Sequence, residues 1–292
     1  MKILFDPGRP LLLDGALGTE LERRGVDTSG LGWTARANLD SGQLIQSIHQ
    51  EYLLAGADIL SANTFRTNPR AQLGSEFDAF DLTKRAVSHA IQARKSSELV
   101  RQVLIAGSIA PAADCFSPEL VPENDCDLAQ EHGRFARWLK EAGVDLLLIE
   151  TMSTLREAEI AFKAARRATA LPIIVSIVVR DAEHLLDGTT IDDAVTALSG
   201  ADLLMLNCSS LSVMLAAAPR WADLATGFEI PFGFSPNTSE RLDDGTWDLN
   251  ARSDEEISDA AVFFMSLGAS MIGSCCGSTP STTALIKEKI GV

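Results

Sequence analysis

Eight short apolar runs, separated by longer stretches with helical periodicity, constrain the fold of this chain more than any other feature. The runs cover residues 11–14, 58–63, 103–108, 145–150, 173–179, 203–207, 231–234 and 270–275. Their apolar residues are continuous instead of alternating, which is typical of parallel strands covered by helices. The pattern therefore indicates an α/β fold built on a parallel sheet.

The intervening stretches predict eight helices, several of which carry recognisable end signals. The helices cover residues 42–55, 80–95, 128–142, 154–170, 191–198, 212–225, 254–267 and 282–290. Gly56, Gly143 and Gly268 end three of them, and Ser253 with Glu256 begins another as a capping box. Eight strands alternating with eight helices predict a (β/α)8 TIM barrel with its active site at the C-terminal ends of the strands. A doubly wound sheet usually has only five or six strands.

Composition supports one large soluble domain that binds small molecules. The chain has 292 residues, of which 46% are hydrophobic, so we expect a single barrel domain over residues 1–292. A formal charge of −15 repels nucleic acid and suits a cationic or zwitterionic small molecule. No apolar run is long enough to span a membrane, and residues 1–7 lack the apolar region of a signal peptide. We expect a cytoplasmic protein; the oligomeric state stays open.

Three of the five cysteines fall at predicted strand ends, and they are the most informative residues in the sequence. Cys208 follows the sixth strand, and the adjacent Cys275 and Cys276 end the eighth. An odd cysteine count in a chain without a secretion signal favours free thiols or metal ligands over disulfides. If the flanking glycines bend the backbone, three thiolates can bind Zn²⁺ and leave its fourth position open, as in catalytic zinc sites. The alternative is that these cysteines are small core residues.

Two carboxylates and several amides also follow predicted strands. Asp14 and Glu150 end the first and fourth strands, where an anionic pair would hold a substrate ammonium group. Helix capping or a solvated rim is the alternative interpretation. Polar side chains that could orient a ligand, or equally satisfy loop backbone, are Asn63, Thr64, Asn207 and Asn237. Cys115 and Cys126 lie in the loop after the third strand, away from the cluster, and receive no role.

The ordered set of motifs resembles the homocysteine S-methyltransferase family over nearly the whole chain. The resemblance rests on residues 11–21, 56–65 and 148–151, on Asn207-Cys208, on residues 235–238, and on Gly273-Ser274-Cys275-Cys276-Gly277. Trp33 and residues 180–189 look more like the S-methylmethionine branch than the betaine branch. Ser274 stands where the family usually has a second glycine, but the cysteines are retained.

The resemblance implies a zinc enzyme that methylates homocysteine to methionine. Zinc would be bound by Cys208, Cys275 and Cys276, with the homocysteine sulfur as fourth ligand. Asp14 and Glu150 match positions that hold the substrate's amino group, and Asn237 matches an asparagine near the substrate.

The methyl donor implied for this chain is a sulfonium, S-methylmethionine or S-adenosylmethionine. Trp33 and Phe65 could face such a cation through their rings, or could be core residues. The alternatives are another thiol or selenol acceptor, a betaine, folate or corrinoid donor, or a non-catalytic zinc-binding barrel.

Overall fold

The computed structural model describes residues 9–30, 32–241, 247–249 and 251–292. Its strands are β1 (Leu11–Leu12), β2 (Ile59–Ala62), β3 (Leu104–Ile109), β4 (Leu146–Met152), β5 (Ile173–Ile177), β6 (Leu203–Asn207), β7 (Phe232–Ser235), β8 (Glu240–Arg241), β9 (Trp247–Asp248) and β10 (Met271–Ile272). Its helices are α1 (Leu17–Arg23), α2 (Ala37–Asp40), α3 (Gly42–Ala55), α4 (Ala79–Ser96), α5 (Asp125–Ala142), α6 (Leu155–Ala168), α7 (Ile191–Ala197), α8 (Leu211–Gly227), α9 (Asp254–Ser266) and α10 (Pro280–Ile290). A short 3-10 helix spans Pro118–Leu120.

Eight parallel strands form a barrel, which confirms the predicted fold class. Their order is β1-β10-β7-β6-β5-β4-β3-β2, and a parallel bridge between Leu13 and Ile59 joins the two ends of the sheet. The predicted single domain over residues 1–292 stays a prediction. No helix in the described ranges is long and apolar enough to cross a membrane.

The continuous apolar runs are explained by two separate cores. Alternate strand residues point to opposite faces of the sheet. One set fills the barrel interior, where Ile59, Leu148 and Met205 belong to a single buried cluster. The other set packs outward against the helices, as Ile149 and Leu206 do. Both faces of the strands are therefore largely apolar, and most of the polar residues lie toward the strand ends and in the loops beyond them.

The predicted helix boundaries are confirmed where a specific end signal is present. Gly56 and Gly143 end α3 and α5 in the left-handed conformation, and Gly268 adopts a positive φ just after α9. Ser253 and Glu256 form both hydrogen bonds of a capping box at the start of α9. The sequence did not predict the short helix α2.

The prediction of a strand over residues 270–275 is wrong at its C-terminal end, because β10 stops at Ile272. Beyond that point the chain pairs with the loop after β7: Cys275 N donates to the carbonyl of Pro236 at 2.7 Å. That loop continues into the antiparallel pair β8–β9, within the stretch that the sequence marked as a polar excursion.

Candidate metal centre and substrate cavity

The three predicted cysteines converge at one end of the barrel. Cys208 directly follows β6, and Cys275 and Cys276 follow β10 by three and four residues. All three Sγ atoms lie within 4.8 Å of one another, and the Sγ atoms of Cys208 and Cys276 are 3.8 Å apart. Among the described residues, no other group of histidine, cysteine and acidic side chains has this convergence.

The expectation that the chain contains no disulfide is wrong for one pair. The structure pairs Cys208 with Cys275 as a disulfide, with their Cα atoms 5.6 Å apart, while Cys276 is a free thiol. The reason is geometric: the convergence that would place three thiolates around one ion also brings two of them within reach of each other. Reduction of that bond restores three thiols at the same place.

The turn that carries the vicinal cysteines is held by main-chain and side-chain hydrogen bonds. Cys276 N donates to Asn237 Oδ1 at 3.1 Å, and Gly277 N donates to Thr19 Oγ1 at 3.1 Å. Gly277 has φ of +87°, and a Cβ there would overlap Thr238 Oγ1. Because the strand ends before Cys275, the alternation that would separate the two thiols does not apply.

The polar residues at the ends of β4 and β6 support each other. Thr151 and Cys208 have φ of +60° and +48°, values that residues with a Cβ seldom adopt. The Asn207 side chain bridges the two strands: its Oδ1 accepts from Thr151 N at 3.2 Å, and its Nδ2 donates to Thr151 Oγ1 at 2.9 Å. Buried hydrogen bonds of this kind hold a strained backbone in place.

The two predicted carboxylates lie in the same cavity as the sulfurs. Asp14 is buried and accepts a hydrogen bond from Ser61 N at 2.8 Å, while Glu150 accepts one from Ser108 Oγ. Burial raises the pKa of each carboxyl to about 7; the Glu150 charge adds to the rise at Asp14, and the hydrogen bonds oppose it. Two acids that are costly to ionise in isolation are well suited to bind a cationic group.

The cavity has a volume of about 520 Å³ and is bounded by sulfurs, acids and aromatic rings. Trp33 has φ of +46°, its ring meets Phe65 edge-on at 5.8 Å, and its indole N–H donates to Glu22 at 3.1 Å. Its ring lies against Gly18, where a Cβ would overlap it. Both aromatic rings predicted for a donor site thus line the cavity.

Two of the predicted substrate-contact residues are engaged elsewhere. The buried Thr64 hydroxyl donates to the carbonyl of Ser108 at 2.9 Å, and Asn237 uses its Oδ1 on the Cys276 turn. Neither residue is among those that line the cavity, whereas Asn207 and Asn63 are.

Several cavity residues were missed because they do not stand directly at strand ends. Glu22 and Arg66 line the cavity from α1 and from the loop after β2. Cys115 was expected to lie away from the site, but it is buried and lines the same cavity, because the loop after β3 folds back over the barrel mouth. Cys126 is exposed, near the start of α5. Only the fact that barrel loops cover the strand ends could have indicated Cys115 and Arg66.

The fold and the site define a class of protein: a (β/α)8 barrel with three cysteine sulfurs in its cavity. Comparison with known protein families agrees with this class. A family model described as homocysteine S-methyltransferase matches residues 11–290. The chain therefore belongs to the homocysteine S-methyltransferase family.

Individual relatives match along nearly their whole length. The homocysteine S-methyltransferase of Escherichia coli K12 is 29% identical over 310 residues, covering 99% of this chain and 98% of that protein. A selenocysteine Se-methyltransferase of Brassica oleracea var. italica is 26% identical over 329 residues, covering 99% and 91%. The crystal structure of the Escherichia coli homocysteine methyltransferase MmuM in its metallated form has a TM-score of 0.83 and 27% identity, covering 97% of this chain and 99% of that one. Its oxidised form has a TM-score of 0.84 and the same identity, covering 96% and 95%.

Proposed function

We propose that this protein transfers a methyl group from a sulfonium donor, with S-methylmethionine as the first candidate and S-adenosylmethionine as the second, to the thiolate of homocysteine, forming methionine. The observation that carries the proposal is the convergence of three cysteine sulfurs and two carboxyl groups on one cavity. In the transfer, a new bond forms between the homocysteine sulfur and the methyl carbon. The bond from that carbon to the sulfonium sulfur breaks, and the donor leaves as a neutral thioether.

Once the Cys208–Cys275 pair is reduced, the cysteine cluster fits a zinc ion. Four sulfurs at about 2.3 Å around a tetrahedral Zn²⁺ lie about 3.8 Å from one another, which agrees with the 3.8 Å between Cys208 and Cys276. Burial and the Glu150 charge raise the pKa of Cys276 to about 12, so its thiolate needs a compensating cation. We infer that Cys208, Cys275 and Cys276 hold the metal. When bound, zinc keeps a coordinating thiol deprotonated at neutral pH.

The acids and amides of the cavity are assigned to homocysteine. Asp14 and Glu150 would bind its ammonium group through charge-assisted hydrogen bonds. Asn207 would shape the same wall by fixing Thr151. Thr64 and Asn237 are assigned to the loops that they hold, since Thr64 Oγ1 and Asn237 Oδ1 are hydrogen-bonded to the backbone.

The aromatic side of the cavity is assigned to the donor. Trp33 and Phe65 would face the sulfonium through their ring faces, and a cation over an aromatic face is stabilised by about 0.5–2 kcal/mol. Thiolate and sulfonium neutralise each other as the methyl moves. Exclusion of water by these rings favours that loss of charge.

A selenol acceptor is the second candidate, favoured by the match to a selenocysteine Se-methyltransferase. The acceptor would occupy the same position, so a competition assay between homocysteine and selenocysteine distinguishes the two. We also infer a cytoplasmic location and a single domain over residues 1–292. A reducing compartment keeps the three thiols available for a metal.

Metal analysis coupled to activity tests the proposal. The reduced protein should contain about one zinc per chain and form methionine from homocysteine and S-methylmethionine. Cys208→Ala and Cys276→Ala should lose both zinc and activity, whereas Cys126→Ala, at an exposed cysteine outside the cavity, should keep both. A wild-type protein that is fully active and free of zinc would refute the metal assignment.

A donor panel completes the test. S-methylmethionine, S-adenosylmethionine, betaine and a methylated folate are compared at one homocysteine concentration. A preference for betaine or folate would overturn the sulfonium assignment. No methionine from any donor would overturn the proposed reaction.

A further inference from the structure

The charged side chains that line the cavity are mostly acidic, whereas an amino-acid substrate carries one positive and one negative group. Among the described residues that line it, the charged side chains are four acids and one base: Asp14, Glu22, Asp114, Glu150 and Arg66. An amino acid brings a carboxylate as well as an ammonium group. The acids provide for the ammonium, so the carboxylate has a single cationic partner available in this lining.

Arg66 is held in position without being neutralised. Its Nη1 donates to the carbonyl of Ala113 at 2.9 Å, and its guanidinium lies 5.1 Å from the centre of the Phe65 ring. In the described ranges, no carboxylate lies within ion-pair distance of it. The nearby Asp114 carboxylate instead accepts from Ser117 Oγ at 2.7 Å within its own loop. Nε and Nη2 of Arg66 therefore remain free to form a forked pair with a carboxylate.

The position of Arg66 separates it from the homocysteine end of the cavity. Asp14 directly follows the residue that bridges β1 to β2, and Glu150 lies within β4, so both acids sit at the level of the strands. Arg66 is four residues beyond the end of β2, in a partly exposed loop beside the aromatic residue Phe65. Under the proposed function the acceptor sulfur lies at the cysteine cluster, so the donor is assigned to the loop side of the cavity.

We propose that Arg66 binds the carboxylate of the methyl donor and thereby selects amino-acid sulfonium donors over simple sulfonium cations. This inference rests on the proposed methyl transfer. It adds a specificity-determining residue that the strand-end pattern does not include.

The test compares two donors that differ only in the carboxylate. One is S-methylmethionine, and the other is its decarboxylated analogue, (3-aminopropyl)dimethylsulfonium. Arg66→Met removes the charge and keeps the apolar stem, Arg66→Gln keeps an N–H donor for the Ala113 carbonyl, and Arg85→Met is the matched surface control on α4. Steady-state constants for each donor and for homocysteine are measured on the reduced, zinc-loaded protein.

A lost charged hydrogen-bonded pair should raise the KM for S-methylmethionine about 10- to 100-fold in both Arg66 variants. The constants for the decarboxylated donor and the KM for homocysteine should stay within about twofold of wild type. Because both donors are measured on the same preparation, their ratio does not depend on the folded fraction of a variant. Equal losses for the two donors would indicate a purely structural role and overturn the proposal, as would a raised KM for homocysteine instead of the donor.

Direct binding separates this inference from the proposed reaction. Calorimetry should show that wild type binds S-methylmethionine at least tenfold more tightly than the Arg66 variants do, whether or not turnover occurs. Binding that depends on Arg66 without methionine formation would refute the reaction and retain the role of Arg66. Equal binding by wild type and variants would refute the role of Arg66 alone.

Discussion

Replacement of Glu150 with glutamine should weaken homocysteine binding and, at the same time, stabilise the ligand-free protein. The variant keeps the size of the side chain and its contact with Ser108 but removes the charge. A hydrogen bond between charged groups contributes about 1.5–3 kcal/mol. The KM for homocysteine should therefore rise about 10- to 150-fold, while the donor KM and the zinc content stay unchanged.

The stability effect follows from the same carboxyl. Burial raises the pKa of Glu150 from 4.5 to about 7, so between these values the folded protein retains a proton that the unfolded chain has lost. Wild-type stability consequently falls as pH rises from about 4.5 to 7. The full cost is at most about 3 kcal/mol, or roughly 5 °C in Tm for a chain of this length. Glu150→Gln should recover much of it at pH 8 and nothing at pH 4, where the wild-type carboxyl is protonated in both states.

Thermal unfolding at the two pH values and steady-state kinetics at pH 8 check these expectations. Glu288→Gln, at an exposed glutamate on α10, is the matched control and should change neither quantity. An unchanged KM for homocysteine would refute the assignment of Glu150 to the ammonium group. An increase in Tm that is the same at pH 4 and pH 8 would show that the buried charge is not its cause.

Two glycine positions give further predictions. Gly277→Ala places a Cβ on Thr238 Oγ1 at a positive φ. We therefore expect a loss of about 1–3 kcal/mol in unfolding free energy and faster zinc release to a chelator. A release rate equal to that of wild type would contradict the role of this turn. Gly18→Ala directs a Cβ into the Trp33 ring. We expect a several-fold rise in the KM for the donor, with the KM for homocysteine unchanged. If the KM values change for both substrates or for neither, Trp33 does not serve the donor.

The site residues at strand ends were predictable because the C-terminal ends of all barrel strands meet at one mouth, whatever the sequence of the loops. The apolar runs locate the end of each strand to within a few residues. Asp14, Glu150 and Cys208 could therefore be assigned to one mouth of the barrel from the sequence alone. The bounds of α3 match their prediction because Gly56 ends that helix in a conformation that favours glycine.

The remaining features depend on contacts that no local pattern records. The early end of β10 results from hydrogen bonds between the cysteine turn and the loop after β7, including the one from Cys275 N to Pro236 O. Arg66 and Cys115 reach the cavity because two loops fold inward over it. The disulfide-bonding approach of Cys208 to Cys275 likewise depends on the spatial meeting of segments 67 residues apart.

Consecutive residues at a strand end cannot ordinarily both face the barrel mouth, because strand side chains alternate. Yet Glu150 and Thr151 both line the cavity, as do Asn207 and Cys208. In each pair the second residue has a positive φ, and the pairing of β4 with β5 shifts register between Ile149 and Met152. Such a backbone costs about 1–3 kcal/mol per residue. The left-handed backbone of Thr151 and Cys208 departs from strand alternation, so β4 and β6 each present two consecutive residues to the cavity.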